Sequence, residues 1–301
     1  MKIFLDCLPC MLRQILEAAR LSTNDDEVQN KIISDSLEIL LRYKDYECSP
    51  DLALAMHQRV KTHTKNADPY RTVKSQDLEA ALGVYMLLKV FLCSHNNELY
   101  WALKIAATGN NIDSAIYSNI NIEQCIEKEL AKRFCICDSE SFLSKLQTAK
   151  TLLIIGDNAG ETVFDRVFAE SLLPLNIIYA VRNAPIINDA TIEDANASGL
   201  NTCATIVSTG CSAPGAILSQ CSPAFLTSFY DADIVISKGQ GNFEALSDCD
   251  REVYFLLKAK CAMISKKLGV NLNEYVFIRH AGEREAKGDV NIGQTCEVAK
   301  N

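Results

Sequence analysis

The chain has 301 residues, of which 48% are hydrophobic, so it can bury a sizeable core. Its 38 acidic and 30 basic residues give a net charge of −8, which argues against a broad binding surface for nucleic acid or acidic lipid. Thirteen cysteines in a long acidic chain are typical of a reducing compartment rather than of a disulfide framework. We therefore expect a cytoplasmic protein without nucleic-acid or membrane partners.

The chain up to about residue 147 shows helical periodicity. Apolar residues recur at spacings of three and four from Leu8 to Ala19 and again from Val28 to Leu40. Ser49-Pro50-Asp51 predicts a helix start, with Ser49 as the N-cap. Two more helices are expected, one from about Gln76 to Ser94 and one ending near Gly109. This pattern predicts an all-helical domain over residues 1–147, uninterrupted by strands.

The strongly apolar stretch Leu82–Cys93 falls short of a membrane span, because Lys89 interrupts it. We expect a buried helix there.

Cys7 and Cys10 lie at the start of the first predicted helix with CxxC spacing. They could form a redox or metal pair, or they could be two small buried side chains. A structural zinc would need two more ligands, and the other close pair, Cys135 and Cys137, has the wrong spacing. We therefore interpret Cys7 and Cys10 as structural or accessory residues, remote from any phosphate site.

From Thr151 onward, short β-rich runs alternate with helical patterns. The predicted strands are Thr151–Ile155, Asn176–Val181, Thr205–Val207, Asp233–Ser237 and Tyr275–Ile278. This alternation is typical of an α/β fold with a doubly wound, mostly parallel sheet. We predict that residues 148–301 form a metal- and phosphate-binding domain and that the helical domain contributes to its pocket.

The run Thr151–Ile155 ends at Gly156, Asp157 and Asn158. A continuous apolar run favours a parallel strand covered on both faces, and ligands of such sheets bind beyond the carboxyl ends of the strands. The oxygens of Asp157 and Asn158 suit a hard divalent cation such as Mg²⁺ or Mn²⁺. Asn158 could also cap the next helix, with Glu161 closing a capping box. The two interpretations are compatible.

The loops after the other predicted strands are also polar or rich in glycine, and we expect them to converge on one pocket. Lys238 and the backbone N–H groups of Gly239 to Asn242 could cradle a phosphate, although Lys238 could instead be a solvated lysine at a turn. Thr191 and Asp194 fit a capping box. Asp194 would nevertheless also project towards Asp157, because its helix starts just beyond the neighbouring strand.

Eight segments together carry a resemblance to a known family. They are Cys7-Leu-Pro-Cys10, Asp68-Pro-Tyr70, Gly109-Asn-Asn-Ile-Asp113, Gly156-Asp-Asn-Ala-Gly-Glu161, Arg182-Asn-Ala-Pro through Asp194, Ser208-Thr-Gly210, Lys238-Gly-Gln-Gly-Asn-Phe-Glu244 and Phe255-Leu-Leu-Lys-Ala-Lys-Cys261. In these segments the chain resembles the damage-control phosphatases, a metal-dependent family that removes phosphate from damaged or excess phosphorylated metabolites.

The resemblance implies that Asp157, Asn158 and Asp194 bind the metal and carry the catalysis. It implies further that Lys238 and Lys258 hold the phosphate and that the Gly109–Asp113 turn closes the pocket. The predicted substrate-binding set is Lys238, Asn242, Lys258, Asn110, Asp113 and Glu161. Around Lys258 the chain reads Phe-Leu-Leu-Lys, where eukaryotic relatives that act on sugar phosphates carry Arg-Thr-x-Lys, so it looks like the shorter microbial branch and sugar-phosphate specificity does not carry over.

We therefore expect a metal-dependent phosphomonoester hydrolase for small phosphorylated metabolites, using Mn²⁺, Mg²⁺, Co²⁺ or Ni²⁺ and direct attack by water. A covalent route through Asp157 is the less favoured alternative, because no Asp-x-Asp nucleophile motif precedes it. One alternative is an S-adenosylmethionine-dependent carboxyl methyltransferase, although a compact Gly-x-Gly-x-Gly turn is missing. Another is a non-catalytic nucleotide or sugar-phosphate binding protein. The physiological substrate and a possible homo-oligomer are left open.

Overall fold

The computed structural model describes residues 1–109 and 122–282, and in these residues twelve α-helices accompany a seven-stranded sheet. The helices of the first half are α1 (Cys7–Ser22), α2 (Asp26–Leu41), α3 (Ser49–Thr64), α4 (Arg71–Cys93), α5 (Glu98–Thr108), α6 (Ile122–Leu130) and α7 (Ser139–Leu146). The remaining helices are α8 (Glu161–Ser171), α9 (Ile192–Ala197), α10 (Pro223–Asp231), α11 (Gly239–Leu246) and α12 (Ala262–Leu268).

The strands form one sheet. They are β1 (Phe134–Cys137), β2 (Thr151–Ile155), β3 (Asn176–Val181), β4 (Thr205–Ser208), β5 (Ile234–Lys238), β6 (Val253–Lys258) and β7 (Tyr275–His280). Their order is β1-β7-β6-β5-β2-β3-β4, and every neighbouring pair is parallel except β6 and β7. The chain adds β3 and β4 on one side of β2 and then β5 on the other. A crevice for ligands is therefore expected at the carboxyl ends of β2 and β5.

The sheet is covered on both faces, as alternate residues of β2 show. Leu152 and Ile154 belong to a core that includes residues of α4, α5 and α8, whereas Leu153 and Ile155 belong to a core with α10, α11 and α12. A third apolar cluster joins α1, α2 and α3. The predicted α/β fold class, with a mostly parallel sheet, is confirmed.

Strand β1 corrects the prediction that no strand interrupts the first 147 residues. It has only four residues and pairs in parallel with β7 at the edge of the sheet. Such a short run shows no readable alternation, which is why the sequence pattern missed it. Strand β6 was missed as well. The division into domains 1–147 and 148–301 stays a prediction.

Helix α4 is less buried than its apolar sequence predicts. It begins at Arg71 rather than Gln76, and Met86 and Val90 on its outer face are 67% and 63% exposed. Its other face, with Val84 and Leu88, lies in the core beside α8. Across the described ranges, every helix is too short or too polar to cross a membrane.

Candidate active site

Asp157 and Asn158 directly follow β2, at the carboxyl edge of the sheet. Helix α8 starts at Glu161 with Gly160 as its N-cap and without a side-chain capping bond. The alternative role of Asn158 as the N-cap is therefore wrong. Both Asp157 and Asn158 line a cavity of about 320 Å³. The structure thus places the two predicted metal ligands at an opening that a ligand can enter.

The wall of this cavity comes from both halves of the chain. The first turns of α1 and α3 contribute Cys7, Cys10, Ser49 and Pro50, among others. The second half of the chain contributes residues from the loops that follow the strands and from α11, among them Asp189, Pro214, Gln240, Glu244, Lys260 and Cys261. Helices α1 and α3 thus contribute side chains to the wall of this cavity.

Asp194 belongs to a segment that is bonded to the loop of Asp157. Ala190 N donates to the backbone oxygen of Asp157 (2.8 Å), and the next residue, Thr191, forms the predicted capping box with Asp194. Asp194 Oδ2 also receives a hydrogen bond from Lys74 Nζ (3.0 Å). Asp194 therefore serves as a helix cap and an ion-pair partner here, and it is not among the described residues of the cavity wall.

Arg182 is a fully buried residue under the site, which the sequence analysis named only as part of a motif. Its Nε donates to Asp189 Oδ2 (2.6 Å), and its Nη1 donates to Asn242 Oδ1 (3.0 Å). Its Nη2 lies 3.7 Å from Asp157 Oδ1. Burial alone would lower the pKa of Arg182, but the carboxylates of Asp189 and Asp157 raise it above its ordinary value. Arg182 is thus a fixed positive charge beside Asp157.

Asn242 connects the loops at the carboxyl edge of the sheet. Its Nδ2 donates to the backbone oxygens of Gly156 (2.9 Å) and Lys238 (2.7 Å). Its Oδ1 accepts from Arg182 Nη1 and from Ala216 N (2.9 Å). A side-chain amide has two donors and two acceptor sites, so all its capacity is used. This corrects the predicted contact of Asn242 with the substrate, because the amide is committed inside the protein.

Lys238 points into the core rather than into the cavity. Its Nζ donates to Asp165 Oδ1 (2.5 Å), Glu161 Oε2 (2.9 Å) and the backbone oxygen of Ala106 (3.0 Å). Burial would lower the pKa of Lys238, but Asp165 and Glu161 raise it above its ordinary value. The geometry assigns Lys238 and Glu161 to an interior ion-pair network. The substrate contacts predicted for them would require this network to rearrange.

Lys258, which was also predicted to bind the substrate, lies away from the described cavity wall. Lys258 Nζ is 3.4 Å from Glu129 Oε2 and lies over the ring of Tyr275. Asn110 and Asp113 lie outside the described residues.

Sequence reasoning missed Lys260, which lines the cavity together with Asp157. Its backbone N–H donates to Gln240 Oε1 (3.2 Å), which ties the loop after β6 to α11. Lys260 lies only two residues beyond Lys258, inside a segment already recognised as a family motif. That motif indicated that the segment is functional. It did not indicate which of its side chains point into the cavity beyond the end of β6.

The prediction that Cys7 and Cys10 are buried and remote from the site is wrong. Cys10 is exposed and Cys7 is partly exposed, and both line the cavity with Asp157 and Asn158. The reason is long-range packing, which brings the amino end of α1 and the loop after β2 to the same cavity. Nothing in the local CxxC pattern indicates this.

The charges at the site suit a divalent cation. Burial, then the nearby carboxylates of Glu161 and Asp189, raise the pKa of Asp157 well above its ordinary value, and Arg182 offsets this only in part. A bound cation would relieve that repulsion, and carboxylate and amide oxygens are suitable ligands. In the described parts of the chain, however, no three His, Cys, Asp or Glu side chains already form a metal site. Asp157 and Asn158 fit the ion, whereas Asp194 would have to share its carboxylate with Lys74.

Comparison with known proteins decides the family. A sequence model of the damage-control phosphatase ARMT1-like domain matches residues 3–276. The chain belongs to this family. A damage-control phosphatase of Pyrococcus horikoshii is 32% identical to this family member, over 93% of the chain and 99% of the relative. A damage-control phosphatase of Archaeoglobus fulgidus is 30% identical, over 92% of the chain and 98% of the relative.

An uncharacterised protein of Methanocaldococcus jannaschii is 35% identical to this ARMT1-like protein, over 92% of the chain and 95% of the relative. The fold is shared too. The crystal structure of a DUF89 family protein from Pyrococcus horikoshii matches with a TM-score of 0.86 and 30% identity, over 93% of this chain and 99% of that one. The predicted family and the predicted fold are therefore confirmed.

Proposed function

We propose that this damage-control phosphatase family member is a metal-dependent phosphomonoester hydrolase that acts on small phosphorylated metabolites. The observation that carries the proposal is the position of Asp157 and Asn158, at the point where the order of the sheet reverses and on the wall of a cavity. The family membership supports hydrolysis of a phosphate ester, and the acidic surroundings of Asp157 support a divalent cation.

Asp157 and Asn158 would hold this cation, with Asp194 as a third ligand. Mn²⁺, Mg²⁺, Co²⁺ and Ni²⁺ all accept oxygen ligands of this kind. When bound, such an ion supplies positive charge beside a phosphoryl group and makes water a better nucleophile. For Asp194 to contribute, its hydrogen bond with Lys74 has to weaken or its second oxygen has to be used.

The surrounding residues would orient the ligands and the substrate. Arg182 fixes Asp189 and stands beside Asp157, so it keeps the carboxylate of Asp157 in place when the cavity fills with solvent or substrate. Among the described residues of the cavity wall, Lys260 is the lysine that can meet an anionic substrate. We assign to Lys260 the phosphate contact that was predicted for Lys238.

The test measures Mn²⁺ binding and hydrolysis of p-nitrophenyl phosphate together, in the parent and in Asp157→Asn, Asp194→Asn and Lys260→Met. The two aspartate variants should bind Mn²⁺ on the order of 100-fold more weakly, because an uncharged amide replaces a carboxylate ligand. Lys260→Met should keep Mn²⁺ affinity but raise KM about tenfold or more, the loss expected for one charge-assisted contact.

Asp45→Asn is the matched control, because Asp45 lies off the described cavity wall in an exposed ion pair with Arg42 and its substitution should change neither property. Parental Mn²⁺ affinity and turnover in Asp157→Asn would show that the site is wrongly placed. Metal-independent binding of S-adenosylmethionine, without phosphatase activity, would favour the methyltransferase alternative. Phosphate-ester binding without turnover would favour the non-catalytic one.

A further inference from the structure

The cavity wall carries a pair of thiols that the proposed hydrolysis does not use. Cys7 and Cys10 occupy the first turn of α1, and both line the cavity that Asp157 and Asn158 line. Both are free thiols in the structure. Two oxidisable thiols therefore line the same cavity as the candidate metal ligands.

The spacing of the two thiols suits a disulfide after a small rearrangement. Residues three apart on a helix have Cβ atoms about 5–6 Å apart, whereas a disulfide needs about 3.8 Å. The turn that must tighten is the first one of α1. Its N-cap, Asp6, makes no side-chain capping bond, so this turn can tighten without the loss of such a bond.

The two thiols differ in exposure in a way that orders the reaction. Cys10 is exposed, so an external reagent can reach it. Cys7 is partly buried and accepts a hydrogen bond from Ser49 Oγ (3.7 Å). Burial raises the pKa of the Cys7 thiol. Cys10 is thus placed to meet the oxidant first, and Cys7 is placed to resolve the intermediate.

We propose that Cys7 and Cys10 form a reversible disulfide on the cavity wall and that this disulfide lowers the phosphatase activity of the protein. The oxidant is a small-molecule disulfide, RSSR. The second half of the proposal rests on the proposed function, whereas formation of the disulfide does not.

The chemistry is two successive thiol–disulfide exchanges. The Cys10 thiolate attacks RSSR, forming a Cys10–S–S–R mixed disulfide and releasing one RS⁻. The Cys7 thiolate then attacks the Cys10 sulfur, forming Cys7–S–S–Cys10 and releasing a second RS⁻. The two thiol protons pass to the two leaving thiolates. Two cysteine thiols are oxidised by two electrons, and RSSR is reduced to two RSH.

The effect on activity follows from the position of the turn. Closing the disulfide draws Cys7 and Cys10 together and shifts the wall that faces Asp157. A displacement of about 1 Å near reacting groups can reduce a rate by up to about 100-fold, so a decrease in kcat/KM of about tenfold or more is expected.

The experiment uses the full-length, Mn²⁺-loaded protein, equilibrated without oxygen at graded ratios of oxidised to reduced glutathione. After alkylation of free thiols, peptide mass spectrometry identifies the linked cysteines. Hydrolysis of p-nitrophenyl phosphate and Mn²⁺ affinity are measured on the same samples. We expect a Cys7–Cys10 link, an activity that falls as the link forms, and recovery with dithiothreitol.

Two variants sharpen the result. Cys10→Ala should lose both the link and the redox response of activity. Cys93→Ala is the matched control, because Cys93 is an exposed cysteine at the end of α4, outside the cavity wall, and it should respond as the parent does. A protein that hydrolyses no phosphomonoester in any redox state would refute the proposed function. The mass measurement and the Mn²⁺ affinity would then still decide this inference.

Several results would overturn it. Both thiols could stay free at every ratio, or the link could join Cys7 to Cys261, which also lines the cavity. The link could also form without any change in turnover or Mn²⁺ affinity. A tightly bound thiophilic metal that is lost in Cys10→Ala would identify the pair as a metal site instead.

Discussion

The carboxylate of Asp157 occupies the space that a Cβ on Gly239 would need. Gly239 has a φ of +79°, a left-handed conformation that other residues rarely adopt. Gly239, the first residue of α11, therefore helps to position Asp157, the principal candidate metal ligand. Gly239 thus allows close packing with Asp157, whereas its predicted role was to cradle a phosphate.

Gly239→Ala should displace Asp157 and weaken Mn²⁺ binding by about tenfold or more, because mutation of residues that orient a metal ligand reduces metal affinity by about that much. It should also lower the free energy of unfolding by more than the 1–2 kcal/mol or so that a left-handed alanine costs. Gly269→Ala is the matched control, because Gly269 has a φ of +69° but open space around it. Mn²⁺ titration and urea unfolding of both variants check this. Equal losses of Mn²⁺ affinity and of unfolding free energy in the two variants would show that Gly239 does not position Asp157.

Asn242→Ala should act mainly on stability. It removes the side-chain partner of Arg182 Nη1, Ala216 N and two backbone oxygens, so we expect a loss on the order of 3 kcal/mol in unfolding free energy. Asn196→Ala removes one exposed hydrogen bond, to Ile192 O, and should cost far less. Urea unfolding measures both. A raised KM with parental stability in Asn242→Ala would instead restore the predicted substrate contact.

The central strand and the residues at its end were predictable from sequence. Strand β2 has the predicted bounds, Thr151–Ile155, because a continuous apolar run bounded by polar residues is a strong local signal. The general rule for parallel sheets then places Asp157 and Asn158 at the ligand-binding edge. Both steps need only local sequence and a rule that holds across folds.

The direction of individual side chains was not predictable. Lys238 bonds to Glu161 and Asp165, which lie 77 and 73 positions earlier in the chain. Whether its ammonium turns to these carboxylates or to the cavity depends on how α8 packs under β5. The placement of Cys7 depends likewise on how α1 packs against the loop after β2. The local sequence pattern does not indicate such packing between distant segments.

Lys238→Met should destabilise the protein strongly, because it leaves the buried carboxylates of Glu161 and Asp165 without their cation. Breaking one partner of a buried ion pair costs about 3–5 kcal/mol. Lys89→Met is the control, since Lys89 pairs with Glu170 (2.7 Å) but is 35% exposed and should cost at most about 1 kcal/mol. Unfolding free energies, measured without phosphate, check this. A small stability loss with strongly weakened phosphate binding would return Lys238 to its predicted phosphate-binding role.

The burial of His57 should make the free energy of unfolding depend on pH. It lies on α3, almost fully buried, with Nε2 3.3 Å from Gln14 Oε1, and burial lowers its pKa to about 3. In the unfolded chain a histidine takes up its proton near pH 6.5. Between these pH values the unfolded state binds more protons than the native state, so stability is lost as the pH falls through that range.

At pH 5 this loss should be about 2 kcal/mol relative to pH 7.5, from roughly 1.5 pH units at 1.36 kcal/mol each. His57→Gln removes the titrating group and should reduce the acid-side loss by that amount, whatever the variant costs at neutral pH. His95→Gln, which changes a partly exposed histidine outside α3, is the control substitution. Urea unfolding of the three proteins at both pH values measures this. A parental acid-side loss in His57→Gln would show that His57 is protonated in the native state or reached by water, because only a buried neutral imidazole gives the predicted slope.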